Sequence, residues 1–103
     1  MKIAMIGASG FVGTRLLGLL SEYPQQYDCR NIDLLPSHFF NEITTIGDVR
    51  SQEQMDRGLQ GADVVILLAA QHRDDISPVS LYYDTNVGGM EVTLKAMEKN
   101  GCK

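Results

Sequence analysis

The feature that most constrains this chain is a short apolar run that ends in glycines. Ile3-Ala4-Met5-Ile6 leads directly into Gly7-Ala8-Ser9-Gly10-Phe11-Val12-Gly13. A continuous apolar run of strand length suits a strand covered on both faces, as in a parallel sheet. After it, apolar residues at Phe11, Val12, Leu16, Leu17, Leu19 and Leu20 predict a helix over residues 11–22, stopped by Pro24. A Gly-x-x-Gly-x-x-Gly loop set between a buried strand and a helix is a phosphate-binding arrangement. Gly7 permits the tight turn out of the strand, Gly10 removes a Cβ from the path of a pyrophosphate, and Gly13 lets the helix approach the sheet closely. The helix start then offers unpaired N–H groups and the positive end of its dipole to the phosphates. The alternative is an ordinary strand-to-helix turn that uses glycine for shape.

The rest of the chain alternates in the same way. Residues 29–35 predict a second strand and residues 42–46 a third, weaker one, with no clear helix between them. Ser51-Gln52-Glu53-Gln54 is a capping box that opens a helix to about residue 59, with Gly61 as its stop. Residues 63–70 predict a fourth strand, whose run Val64-Val65-Ile66-Leu67-Leu68 lacks polar alternation. Ser77-Pro78 predicts the start of a long helix that Asn100-Gly101 ends. Gly88 and Gly89 inside that helix cost roughly 1 kcal/mol each relative to alanine, so close packing on their face is expected. This alternation predicts an α/β fold: a Rossmann-type parallel sheet of about four strands in the order 3-2-1-4, helices on both faces, joined by right-handed crossovers.

Composition narrows the function classes. A chain of 103 residues suggests one small domain, and 44% hydrophobic with 21% charged content supports a packed core. A net charge of −4 with scattered cations argues against nucleic acid as a partner. No apolar run approaches the roughly 18 residues of a membrane span. The apolar start is too short for a signal peptide and reads as a strand. Cys29 and Cys102 match neither a disulfide framework nor a metal spacing, which points to free thiols in the cytoplasm.

Asp33 stands 20 positions after Gly13, at the end of the second strand. A carboxylate there can accept hydrogen bonds from the adenosine ribose diol and repel a 2′-phosphate, favouring NAD over NADP; otherwise it is a solvated strand-end residue. Arg30 lies before it on the strand, and Arg15 on the first helix has the length to reach a 2′-phosphate. Asp48, after the third strand, can accept from an adenine amino group or serve as a turn carboxylate. Leu68-Ala69-Ala70 puts small residues outside the carboxyl end of a strand, where a ligand must lie against backbone. Helix packing is the other use of small residues there.

Taken together, Gly7 to Gly13, Asp33, Gly47-Asp48-Val49-Arg50, Leu68-Ala69-Ala70-Gln71-His72 and Tyr82-Tyr83-Asp84-Thr85-Asn86-Val87-Gly88-Gly89 resemble the extended short-chain dehydrogenase/reductase family. Within it, the likeness is to NAD-dependent nucleotide-sugar epimerases and dehydratases of the UDP-glucose 4-epimerase kind. The resemblance implies that Phe11 and Val12 present N–H groups to the pyrophosphate, that Asp33 holds the ribose, and that Asp48 and Val49 flank the adenine. Leu68, Ala69 and Ala70 would line the nicotinamide-side ribose and phosphate. His72 stands where relatives place a cofactor-contacting polar group, Thr85 would bond near the cofactor, and Asn86 would brace the backbone. The family's Ser/Thr and Tyr-x-x-x-Lys groups lie beyond the next strand. Tyr82 and Tyr83 are no substitute, since Asn86 and Val87 occupy the places a lysine would need. The expectation is therefore an N-terminal part of a dinucleotide-binding domain spanning residues 1–103, truncated before its catalytic and substrate-binding parts and inactive alone. A nucleotide sugar would be a partner only of the full-length enzyme. A non-catalytic NAD(P)-sensing module is the alternative, separated from the first by the coding sequence that follows. Truncation would also leave the fourth strand as an open edge, so self-association through that strand or the last helix is expected.

Overall fold

The computed structural model describes residues 1–68 and 87–102. Four parallel strands, β1 (Lys2–Ile6), β2 (Asp28–Asp33), β3 (Thr44–Ile46) and β4 (Val64–Leu67), form one sheet in the order β3-β2-β1-β4. Helix α1 (Phe11–Leu20) follows β1, α2 (Gln52–Gly58) precedes β4, and α3 (Gly89–Asn100) is the last described helix. The strand order and the two helical layers are those the sequence predicts.

Side-chain alternation along the central strand explains the layering. Ile3 and Met5 point to one face and pack with Ala8 and Leu17 beneath α1. Ala4 and Ile6 point to the other and pack with Met55 and Leu59 beneath α2 and with Ala96 of α3. On β4, Ile66 joins the first cluster while Val65 and Leu67 join the second. Both faces of these strands are covered, so neither needs a polar alternation. As the sheet edge, β4 is only half-buried along its length.

Element ends depart from the sequence expectations by a few residues. The first helix stops at Leu20, where the Ser21 N–H returns to the Leu17 carbonyl at 2.9 Å. β2 stops at Asp33, because Leu34 and Leu35 turn outward and are exposed. Asn41–Ile43 form a 3₁₀ turn rather than the start of the third strand, and only three residues pair with β2. The β2–β3 link thus contains no α-helix, as its sequence suggests. The fourth strand pairs from Val64 to Leu67, and the Leu68 N–H reaches the Ile6 carbonyl at 2.8 Å. The helix start expected at Ser77-Pro78 lies outside the described residues.

Among the described residues, the Gly101 stop and the Ser51 half of the capping box are present. Gly101 takes a left-handed φ of 69°, which lets the Cys102 N–H donate to the Met97 carbonyl at 2.9 Å and close α3. Ser51 accepts from the Gln54 N–H at 3.3 Å, while the Gln54 side chain reaches past it to accept from the Asp48 N–H at 2.7 Å. That return bond ties the β3–α2 connection to α2. Gly89 has the expected close contact, since a Cβ there would lie 2.9 Å from Cγ1 of Val49. Among the described residues, no helix is long and apolar enough to cross a membrane.

Candidate dinucleotide site

The glycine loop leaves the carboxyl end of β1 and is held mainly by β2. Gly7 adopts φ 84°, a left-handed conformation that favours glycine, and its N–H donates to the Ile32 carbonyl at 2.7 Å. The next two N–H groups turn to side chains of β2. Ala8 donates to Oδ1 of Asn31 at 2.9 Å, and Ser9 donates to Oδ2 of Asp33 at 2.9 Å. The Ser9 hydroxyl donates to the Leu35 carbonyl at 2.8 Å, joining the loop to the turn after β2.

The other two glycines serve different ends. A Cβ on Gly13 would sit 2.3 Å from Ala8 Cα and 2.6 Å from Ala8 O, so this glycine is required by close packing. The surface it approaches is the loop backbone at Ala8 rather than the sheet itself. Gly10 is the extended N-cap of α1, with φ −81° and ψ −171°, and a Cβ there would meet no atom of the described residues within 4 Å beyond its chain neighbours. Neither backbone strain nor packing among the described residues calls for glycine at this position. Beyond it, Phe11 is 77% and Val12 64% exposed. The first turn of α1 carries no acidic residue, and its leading N–H groups have no acceptor within the helix. That end is electrostatically ready for an anion.

Asp33 is not a free strand-end carboxylate. One oxygen accepts from Ser9 and the other from the Leu35 N–H at 3.2 Å. The nearby cations are already engaged. Arg30 donates to the carbonyls of Gly58 at 3.0 Å and Gln60 at 2.7 Å, at the far end of α2. The Arg15 guanidinium lies 5.7 Å from the centre of the Phe11 ring.

Asp48 follows β3 and pairs with Arg50 at 2.7 Å. Hydrogen bonds from the Arg50 side chain hold its carboxyl below the usual carboxylate range, against a smaller opposing effect of burial. Both side chains are partly exposed, so the pair contributes less than about 1 kcal/mol. Asp48 and Arg50, with Ser51, Gly88 and Val92, line an open recess of about 440 Å³. Val49 is a core residue, its side chain packed against α3 at Gly89. Leu68 packs on the α1 side of the sheet. Ala69, Ala70, His72, Thr85 and Asn86 lie outside the described residues.

The glycine loop, Asp33 and the Asp48 segment all follow carboxyl ends of strands, on one edge of the sheet. Sequence reasoning missed Asn31, which is fully buried and bonded to the loop. The signal was available. Asn31 is the one amide in β2, two positions before Asp33 and hence on the same face.

Comparison with known proteins extends this geometry to ancestry. The model of the NAD dependent epimerase/dehydratase family matches residues 3–103. A curated relative from Escherichia coli O157:H7, N-acetyl-alpha-D-glucosaminyl-diphospho-ditrans,octacis-undecaprenol 4-epimerase, is 56% identical over 102 residues, covering 99% of this chain. The chain spans 30% of that relative's length. Among solved structures, an Agrobacterium tumefaciens short-chain dehydrogenase/reductase superfamily protein with bound NAD superposes with a TM-score of 0.87 at 22% identity, over 100% of this chain and 30% of that one. UDP-glucose-4-epimerase from Stenotrophomonas maltophila with bound NAD gives 0.84 at 23% identity, over 100% of this chain and 35% of that one. Those two likenesses speak to the fold, a parallel sheet with a glycine turn after its central strand. The family match runs from that strand through the final helix, and on that ground the chain belongs to the NAD dependent epimerase/dehydratase family.

Proposed function

We propose that this chain is the dinucleotide-binding portion of an NAD-dependent sugar 4-epimerase, with the pyrophosphate of NAD seated on the Gly7–Gly13 loop. The observation that carries this reading is Gly10. Its conformation is open to any residue and, among the described residues, no atom beyond its chain neighbours lies within 4 Å of its Cβ position, which leaves room for a ligand there. That position stands directly before the N–H groups of Phe11 and Val12, which have no acceptor within α1. Asp33, oriented by Ser9 and Leu35, would receive the adenosine ribose hydroxyls. NAD is favoured over NADP, because a 2′-phosphate would face this carboxylate while Arg30 is held at the end of α2. Asp48 and Val49 on the adenine, and Leu68, Ala69, Ala70, His72 and Thr85 toward the nicotinamide, complete the proposed contacts.

When bound, NAD would take a hydride from a sugar carbon and return it. The relatives' named substrates share a hexose joined through diphosphate, carried on a nucleotide in UDP-glucose and on a polyprenol in the 56% identical protein. We assign the same chemistry here, a diphosphate-linked N-acetylhexosamine, with both carriers to be assayed. The proton-moving Ser/Thr and Tyr-x-x-x-Lys groups of the family are not among these 103 residues. Calorimetric titration is expected to show NAD binding more tightly than NADP, with no turnover of UDP- or undecaprenyl-diphosphate-linked N-acetylglucosamine by this chain. Tighter binding of NADP, or turnover by the isolated residues, would overturn the assignment.

Self-association belongs to the same reading. The half-buried edge strand β4, and Val87, Met90 and Leu94 exposed on and beside α3, offer apolar surface to a second copy. Sedimentation equilibrium should therefore show a dimer or larger assembly at micromolar concentration, and a clean monomer would count against it. The unpaired thiols of Cys29 and Cys102 suit the reducing cytoplasm, the compartment we propose.

A further inference from the structure

Asn31 occupies a position that the cofactor contacts proposed above do not use. It lies in the middle of the site's supporting layer, fully buried on β2 with every polar hydrogen committed. Its Oδ1 accepts from the Ala8 N–H at 2.9 Å. Its Nδ2 donates to Ser9 Oγ at 3.0 Å and to Thr44 Oγ1 at 3.1 Å. The direction of each bond is dictated by the next one. Ser9 Oγ spends its proton on the Leu35 carbonyl, and Thr44 Oγ1 spends its proton on the Phe40 carbonyl at 2.8 Å. Both hydroxyls can then only accept from Asn31, and the Ala8 N–H can only donate. An amide is the side chain of this size that meets one donor and two acceptors together. A carboxylate would face two oxygens with no proton between them, and a leucine would leave the Ala8 N–H buried without an acceptor.

We propose that Asn31 is a positioning residue of the dinucleotide site, fixing the direction of the glycine loop through Ala8 and Ser9. One side chain ties the loop that follows β1 to Thr44 at the start of β3. That loop is the segment that meets the pyrophosphate in the cofactor reading above, on which this inference rests. Asp33 works in concert with it. The Ser9 N–H is bound to Asp33 while the Ser9 hydroxyl is bound to Asn31, so the amide also sets where the ribose-facing carboxylate rests. Without Asn31, Ala8 and the Ser9 hydroxyl lose their tie to β2, and the loop that leads into the phosphate-facing N–H groups is held less firmly.

The test is Asn31→Leu in the full chain, read by NAD titration and by amide hydrogen exchange. The NAD dissociation constant is expected to rise by about tenfold or more. Exchange at Ala8 and Ser9 is expected to accelerate by about tenfold or more while β1 keeps its protection, a pattern that a general loss of stability would not produce. Asn31→Leu with native NAD affinity, or with weakened affinity but native protection at Ala8 and Ser9, would overturn the inference. Ser9→Ala supplies the check if the leucine variant does not fold. It removes the loop's end of the brace at a partly exposed site, and should raise the NAD dissociation constant about threefold while the chain still folds. No change in Ser9→Ala would equally count against Asn31. A native chain that fails to bind NAD defeats the cofactor reading instead, and the exchange pattern still decides whether Asn31 holds the loop.

Discussion

Gly13→Ala is expected to destabilise the chain by about 3 kcal/mol or more and to abolish cofactor binding with it. The added methyl would lie 2.3 Å from Ala8 Cα and 2.6 Å from Ala8 O, inside the 3.0 Å that real Cβ atoms keep. Its neighbour is backbone, which cannot rotate away as a side chain can. Nor can Ala8 retreat: it is fully buried and its N–H is tied to Asn31. The helix would have to lift, opening the cluster of Ile3, Met5, Ala8 and Leu17 that α1 covers. Against this stands a gain of about 1 kcal/mol from replacing glycine by alanine in a helix, which is too small to win. Gly18, one and a half turns further along α1, is the internal control. A Cβ there meets nothing within 4 Å, so Gly18→Ala should show the propensity gain alone. Urea unfolding midpoints for the two variants should therefore move in opposite directions. Equal shifts, or a Gly13→Ala chain as stable as native, would mean that helix and loop do not touch as described. For a domain whose total stability is on the order of 5–15 kcal/mol, the expected loss is a large share.

The fold was legible where a residue's neighbours in sequence decide its state. The run from Ile3 to Ile6 into Gly7 specified a two-sided strand, and the Asn100-Gly101 stop specified the left-handed end of α3. Strand order followed from the alternation of strands and helices. What escaped was set by partners distant in sequence. The third strand pairs only with Asn31–Asp33 of β2, and residues 41–43 turn instead of extending along Asp28–Arg30. Gln54 satisfies Asp48 rather than the serine it follows, because the chain folds back there after β3. Local periodicity carries neither fact.

For the candidate site, legibility divided along the same line. The glycines announce themselves by type and spacing, and Asp33 by its distance from Gly13. Gly13 was expected to meet the sheet and instead meets Ala8, a contact that only the loop's path decides. Asn31 was passed over because it is one of four polar residues in β2, and its type does not say what it faces. Its meaning came from two segments converging on one amide, the loop at Ala8 and Ser9 and β3 at Thr44. Arg30 shows the converse. In sequence it stands three positions before Asp33 on the same strand, yet its side chain donates to the carbonyls of Gly58 and Gln60.

Gly10→Ala is expected to do the opposite of Gly13→Ala: leave the fold intact and weaken NAD binding by roughly 10- to 100-fold, about 1.4 to 2.8 kcal/mol. Gly10 sits at φ −81° and ψ −171°, which alanine adopts without strain, and among the described residues no atom beyond its chain neighbours lies within 4 Å of the new Cβ. Two small stability effects then compete. Alanine restricts the unfolded chain, worth about 0.4–1 kcal/mol, and it is a poorer N-cap than glycine by a similar amount. Their near cancellation should leave the urea midpoint close to native. Binding has no such compensation. The methyl would occupy the space before the first-turn N–H groups of α1, where a pyrophosphate must come within hydrogen-bonding distance. A phosphate pushed back by a methyl radius loses those charge-assisted bonds, and the helix dipole falls off over the same distance. Gly10→Ala that binds NAD as tightly as the native chain would show that the empty position serves no ligand, and the loop would then be a turn shaped by Gly7 and Gly13 alone.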